Sequence, residues 1–505
     1  MCPSQIHPEW GVRVPRAERP RDGRPPRNLL RLLAVGWVVA ALVAAALPAQ
    51  STPADLEIAR QALAVVETHH WNPHLDGPAL IRAGVEGLRR ELALAGIDGR
   101  SLEPIPAGLD ANQSLTAFGD RLDAAVRLAD GRVSDRQLLY AGLRTMLKAV
   151  GGSHTAFLTP EQRAVFQAIL SGRSYSGIGV SFARRHGQWV FSSIVPGSPA
   201  ELAGFQRGDV LLAVDGHGTD DLVSSEVQLL LIGAPGTTVH VTVRRGAEVF
   251  TVALVRASIH RPVVRSQMLP GGIGYLKLYG YPDGSAGAIR EALSGLLQAR
   301  PRALIVDLRE NGGGLVREFL ATISLFLPPG TVVFREIRRD GIPRVGRTAG
   351  ETIVPSALPL VALIDLGTAS NGELTAAALR ENRGVPLIGE RTAGELEYST
   401  LEVLSDGSAV RVAYARIETS RGVTIEGHGY PPDFEVPLDP TSVRDVQLEW
   451  AVRWVLEHLG GEAPGWREPA VAGVSSAGPG LLLCDVHVPG HPDEESEGGE
   501  VDKSG

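Results

Sequence analysis

The chain has 505 residues, 44% hydrophobic and 21% charged, an ordinary globular composition with room for about three domains at about 150 residues each. Acidic side chains outnumber basic ones by 57 to 49, for a formal net charge of −8, and no dense basic stripe occurs beyond the extreme N-terminus, which argues against nucleic acid as a partner. Cys2 and Cys484 support neither a disulfide framework nor a thiolate metal site, and no HExxH spacing is present, so neither metal nor cofactor is expected.

Arg13, Arg16, Arg19, Arg21, Arg24, Arg27 and Arg31 precede an apolar run from Leu32 to Leu47, followed by Pro48, Ala49 and Gln50. That order is the one an export signal needs. The run is shorter than the roughly 20 residues that span a bilayer, so cleavage near Ala49 is expected over a retained anchor in residues 1–50. The long basic region keeps open an inner-membrane anchor through residues 32–47, or a misassigned start. Location is expected to be periplasmic, extracytoplasmic or membrane-anchored.

Residues 51–170 carry apolar positions at spacings of three and four, among them Leu56, Ala59, Leu63 and Val66, then Leu139, Leu143 and Met146, which predicts a helical N-terminal domain. It ends in a turn, Gly151-Gly152-Ser153-His154-Thr155, that presents a Ser-His pair at a loop. Residues 174–257 alternate short β-branched runs with Gly/Pro turns, predicting strands at 179–183, 189–194, 210–214, 238–244 and 249–255. Three pieces here resemble a PDZ domain: Ser176-Gly177-Ile178-Gly179-Val180, Ile194 to Ala200, and Arg207-Gly208-Asp209 running to Gly216. The resemblance implies a β-sandwich-like unit in which Gly177, Ile178, Gly179 and Val180 receive the terminal carboxylate of a peptide that adds as a strand. A spacer without a ligand of its own is the bland alternative.

Residues 258–460 follow, with a linker expected around 258–269. Strands are predicted at 274–278, 303–307, 360–365 and 385–388, alternating with helices at 284–300, 316–326 and 371–380. Such alternation makes a largely parallel sheet with its chemistry at the strand C-terminal ends. Two loops lie there. Asp307 to Gly314 contains three successive glycines that could cradle a phosphate, but no Lys-Ser pair follows them. Asp365 to Glu373 reads as a strand–turn–helix that exposes Ser370 at a helix start, the geometry of a nucleophile elbow without its GxSxG sequence. A closing amphipathic helix is predicted at 443–459, and residues 461–505, rich in Gly, Pro and Glu, read as a disordered tail.

The two loops, with Gly389-Glu390-Arg391-Thr392-Ala393-Gly394 and Glu426-Gly427-His428-Gly429-Tyr430-Pro431-Pro432-Asp433, resemble in order the motifs of the tail-specific (C-terminal processing) serine peptidases of the S41 type, over residues 140–457. The resemblance implies a multidomain α+β protein: helical domain, inserted PDZ domain, and an α/β catalytic domain of the ClpP/crotonase-like type. It further implies Ser370 as nucleophile, Gly312, Gly313 and Asn371 as oxyanion donors, and proteins or peptides with free C-termini as substrates. The best-known members use a Ser-Lys dyad, but here Glu395 stands at the lysine position and Ser399 at that of a glutamine. Lysine occurs only as Lys148, Lys277 and Lys503, and Lys277 lies inside a predicted strand. The tricorn-like branch uses Ser-His-Ser-Glu instead. Ser153, His154 and Glu426 resemble its residues, which implies His154 as base, oriented by Ser153 and Glu426; support of the fold alone is the other role open to His154. The competing function is a catalytically inactive PDZ-containing peptide-binding scaffold.

Overall fold

The structure, a computed structural model, describes residues 53–459 apart from 173–174, 186, 196, 221, 223, 260–261 and 438–443, together with 486–487. Apart from those last two residues, the expected export segment and tail lie outside the described residues, and among the described residues no helix is long and apolar enough to cross a membrane.

The N-terminal helices are α1 (Pro53–His69), α2 (Gly77–Leu94), α3 (Ala111–Ala129) and α4 (Asp135–Lys148). Asp110 and Ser134 cap α3 and α4 through reciprocal bonds with Gln113 and Gln137, which satisfies amide groups that a helix start leaves orphaned. A Cβ on Gly87 of α2 would lie 2.2 Å from the Ala141 carbonyl of α4, so glycine permits the close crossing of these helices. Their core (Leu88, Phe118, Leu143, Met146) continues into Phe157, Val410 and Val412. Thus the helices are not an isolated bundle; they are seated on a sheet of the C-terminal unit.

After β1 (Ala156–Leu158) and α5 (Pro160–Leu170) come β2 (Tyr175–Gly177), β3 (Val180–Arg185), β4 (Gln188–Ile194), α6 (Pro199–Leu202), β5 (Val210–Val214), β6 (His217–Gly218), α7 (Ser224–Leu231), β7 (Thr238–Arg245), β8 (Glu248–Val255) and β9 (Ala257–Ile259). Strands β3-β4-β5-β7-β8 form an antiparallel sheet, and β2 pairs with β9 where the chain enters and leaves. This is the PDZ-like unit that the glycine punctuation predicted.

The C-terminal unit holds β10 (Val264–Leu269), β11 (Ile273–Leu278), α8 (Ser285–Gln298), β12 (Ala303–Asp307), α9 (Val316–Ser324), β13 (Val332–Arg338), β14 (Pro343–Arg347), β15 (Leu360–Ile364), α10 (Asn371–Arg383), β16 (Leu387–Gly389), β17 (Glu397–Val403), β18 (Ala409–Thr419), β19 (Phe434–Glu435) and α11 (Val446–His458). One sheet runs β10-β11-β12-β15-β16-β19, parallel except for β10. Every residue of β12 and β15 is buried, as expected of strands covered on both faces. The linker expected at 258–269 is instead strand: β9 closes the PDZ-like unit and β10 edges this sheet, half-exposed and so without a clean apolar run. The second sheet, β14-β13-β18-β17 with β1 beside β18, is antiparallel except for the short strand Val486–His487, which pairs parallel to β17 at its edge; it was not anticipated.

Candidate active site

The sharp turn after β15 places Ser370 at the start of α10 with φ 55° and ψ −126°. A non-glycine residue in such a conformation costs about 1–3 kcal/mol and persists only where its surroundings over-determine it. Here they do. The Ser370 N–H donates to Glu373 Oε2 (3.0 Å) and to the Glu395 carbonyl (3.0 Å), and the Ala369 N–H donates to the Asn311 carbonyl (2.9 Å). Asp365 ties the neighbouring loop to this one, its Oδ1 accepting the amides of Glu310 and Gly367, both at 2.9 Å. A Cβ at Gly372 would lie 2.3 Å from the Asn311 carbonyl, so the two loops touch backbone to backbone.

The antiparallel pairing of β1 with β18, Ala156 opposite Arg411, brings the end of the helical unit beside this sheet. His154 Nδ1 lies 2.5 Å from Ser153 Oγ, and Ser153 Oγ donates to Glu426 Oε2 at 2.9 Å. Glu426 Oε2 also accepts the Leu396 N–H at 2.6 Å. With Glu426 ionised, the Ser153 proton goes to its carboxylate and the serine oxygen accepts from His154, which puts the imidazole proton on Nδ1. Nε2 is then a lone-pair acceptor, and it is buried with no partner among the described residues.

Residues 395–397 form a hub between the two halves. The Glu395 carbonyl takes the Ser370 amide, the Leu396 amide goes to Glu426, and Glu397 Oε2 accepts the amides of Ser153 (3.2 Å) and His154 (3.3 Å). Trp71 Nε1 donates to the other Glu397 oxygen at 2.8 Å. Neither Glu397 nor Trp71 was singled out from the sequence; no motif marks them, and their partners lie hundreds of positions away.

Electrostatics here favour neutral forms. Burial, then the nearby Arg411 guanidinium, hold the His154 pKa well below the ordinary imidazole value. Burial raises Glu397, and burial plus repulsion from Glu397 raises Glu426. Glu395, in the place of a dyad lysine, is pushed up to about 7 by burial, against the opposing pull of the Ser224 hydroxyl and Arg411. His154, Glu397 and Glu426 bring ligand atoms within 4.8 Å of one another. The Glu397 and Glu426 oxygens accept protein N–H and O–H groups, and the Ser153 hydroxyl bridges His154 and Glu426, so the donor set fits a hydrogen-bonded relay better than a metal.

Among the described residues the lysines are otherwise engaged. Lys277 Nζ lies 4.0 Å from Asp307 and 3.7 Å from Glu310; burial opposes its charge, but these carboxylates outweigh it and raise its pKa. Arg309 pairs with Asp307 and Asp445, both at 2.6 Å. These residues brace the loop and cannot supply a neutral amine.

Similarity to known proteins coincides with this layout. The model of "Peptidase family S41" matches residues 272–436, and that of "PDZ domain" matches 190–245. A carboxyl-terminal-processing protease of Synechocystis is 33% identical over 334 residues, covering 63% of this chain and 77% of the relative. The chain belongs to peptidase family S41. Also similar are carboxyl-terminal-processing peptidase 2 of Arabidopsis thaliana (30% identical; 60% of this chain, 62% of the relative) and the protease CtpA of Bacillus subtilis (29%; 61% and 66%). The chain thus matches somewhat under two thirds of the length of these last two. A solved photosystem II D1 C-terminal processing protease superposes with TM-score 0.54 at 26% identity, covering 79% of this chain and 96% of that one.

The S41 unit is closed. Ser370 is 1% exposed and His154 fully buried, and the PDZ domain sits on the Ser370 loop. Ala369 packs into the PDZ core with Ile178, Val180 and Val227. The Ser224 hydroxyl, at the first turn of α7, donates to the Glu395 carboxylate, and Arg185 holds Glu390 through two bonds of 2.8 Å. In the carboxylate loop, Gly177 pairs in β2 with Ala257, and the carbonyls of Ile178 and Gly179 take the amides of Ala200 and Val195. Gly179 has φ 81°, and a Cβ there would lie 2.2 Å from Ser198 Cβ. Of the expected oxyanion donors, the Gly313 amide is already given to Asn311 Oδ1 (2.9 Å), so in this closed form the expectation narrows to Gly312 and Asn371.

Proposed function

We propose that this S41 member is a serine endopeptidase cleaving proteins or peptides whose free C-termini engage the PDZ domain, through an acyl-enzyme on Ser370. The observation that carries the reading is the relay from Glu426 through Ser153 to His154, ending in an unpartnered Nε2 and tied by residues 395–397 to a serine in a strained turn. His154 Nε2 takes the Ser370 hydroxyl proton as Oγ attacks the scissile carbonyl. The charge arriving on imidazole is stabilised by the serine–glutamate pair behind it. Amides of Gly312 and Asn371 receive the oxyanion, each such donor being worth about 3 kcal/mol. Collapse breaks the C–N bond, His154 returns the proton to the leaving amine, and water repeats the sequence on the ester.

The seated PDZ domain must leave the nucleophile loop before substrate enters, and capture of a C-terminus beside Ile178 and Val180 supplies the occasion. The order of charge and apolarity in residues 13–50 supports action outside the cytoplasm.

The test is degradation of an unstructured protein with an apolar C-terminus by the wild type and by Ser370→Ala, His154→Ala and Glu395→Ala. Cleavage abolished by the first two and retained by the third is expected. No wild-type cleavage, with peptide binding retained, replaces the enzyme reading by that of a peptide-binding scaffold.

A further inference from the structure

A cavity of about 100 Å³ lies away from the catalytic relay, walled by α2 and α4 of the helical unit, by the β1–α5 segment, and by β6 and α7 of the PDZ domain. One wall is apolar: Ala156, Phe157, Leu229 and Leu230. The other presents Arg144. Among the described residues Arg144 makes no hydrogen bond and no ion pair; Glu91 and Glu226 act on it only through their fields, while burial disfavours its charge. Lys148 stands 4.0 Å from Glu226, and Arg90 and His217 complete the charged lining. After burial, Arg144 and then Arg90 help to depress His217, with only Asp215 opposing.

We propose that this cavity is a binding site for a carboxylate carrying a short apolar group, its oxygens on the Arg144 guanidinium and its apolar end against Phe157 and Leu229. A half-buried guanidinium on a cavity wall, lacking a hydrogen-bond acceptor among the described residues, is a strong carboxylate receptor, because its planar fork offers two parallel donors. The volume exceeds the roughly 10–15 Å³ that one water needs and suits several heavy atoms. Both a free alkanoate and the terminal residue of a peptide have this chemistry. Since the walls come from two units, an occupant ties the PDZ domain to the helices, independently of whether Ser370 is catalytic.

The test is calorimetric titration and thermal melting of the full chain with hexanoate, with uncharged hexanamide as control. Hexanoate is expected to bind and raise the melting temperature where hexanamide does not. Arg144→Met should weaken hexanoate by about tenfold or more while raising the melting temperature of the unliganded chain, since it removes an unpaired charge; Arg144→Gln gives the same comparison should the Met variant not fold. Adding a tetrapeptide with a free C-terminus against its amide assigns the source: an Arg144-dependent gain for the free acid points to peptide, its absence to a free acid. No binding of hexanoate at millimolar concentration, or binding unchanged by both substitutions, overturns the proposal.

Discussion

Two clusters of buried charge flank Ser370, and they are built on opposite principles. On one side Lys277 and Arg309 face Asp307, Glu310 and Asp445, with ion pairs and the Tyr275 hydroxyl on Asp307. Burial acts against these charges, but the paired partners win: Asp307 and Asp445 stay below the ordinary carboxylate range. On the other side Glu395, Glu397 and Glu426 crowd a neutral histidine, all three are raised, and Arg411 acts on both Glu395 and Glu397, with Arg184 adding to the first. A satisfied cluster is scaffold; a frustrated one is held ready to change protonation.

Breaking each side should therefore fail differently. His154→Ala should lower kcat by about 10²–10⁴-fold with little change in the denaturation midpoint. Arg309→Met should do the reverse of that, costing about 3–5 kcal/mol of stability by stranding buried carboxylates, read from urea unfolding. Glu426→Gln removes one charge-assisted bond of about 1.5–3 kcal/mol, hence about 10–100-fold in rate. It should also flatten the acid limb of the pH profile. The sign follows from the raised carboxylates: the relay needs Glu426 ionised, so kcat/KM climbs as pH rises, and the low pKa of His154 leaves that limb to the glutamates.

Glu395→Gln sharpens the contrast further. Its folded pKa of about 7 lies above the ordinary 4.5, so the folded state holds a proton that the unfolded chain releases. Stability is full below the unfolded value and falls as pH rises to the folded one, by up to about 3 kcal/mol. Thermal melts at acid and slightly alkaline pH should differ in the wild type and differ less in the variant, where the other raised glutamates remain. Least affected should be Arg185→Ala: a partly exposed pair is worth about 0.2–1 kcal/mol, so loosening the PDZ seat should raise basal cleavage no more than about fivefold.

What the sequence made legible was whatever glycine, proline and apolar runs punctuate. The PDZ strands and the buried β12 and β15 stand within a residue or two of their predicted bounds. Ser370 was readable because a strand, a turn and a helix follow one another within a dozen residues. The β17–β18 hairpin was not: the first four residues of β17 are buried on both faces, which erases the period of two. Glu397 was invisible for a deeper reason. Its bonds to Ser153, His154 and Trp71 span 244, 243 and 326 positions, and no local pattern encodes such meetings. The replacement of the dyad lysine by Glu395 was plain, but its contact with Ser224 depends on how the PDZ domain is seated.

The β1–β18 pairing has a consequence for the timing of synthesis. His154 and Ser153 leave the ribosome long before Glu397, Leu396 and Glu426, and Ser370 lies between them. Until the strand that carries Arg411 exists, nothing aligns the histidine, and contacts of such separation form late in folding. The proposed relay thus cannot assemble in the nascent chain until β18 and Glu426 have been made and folded.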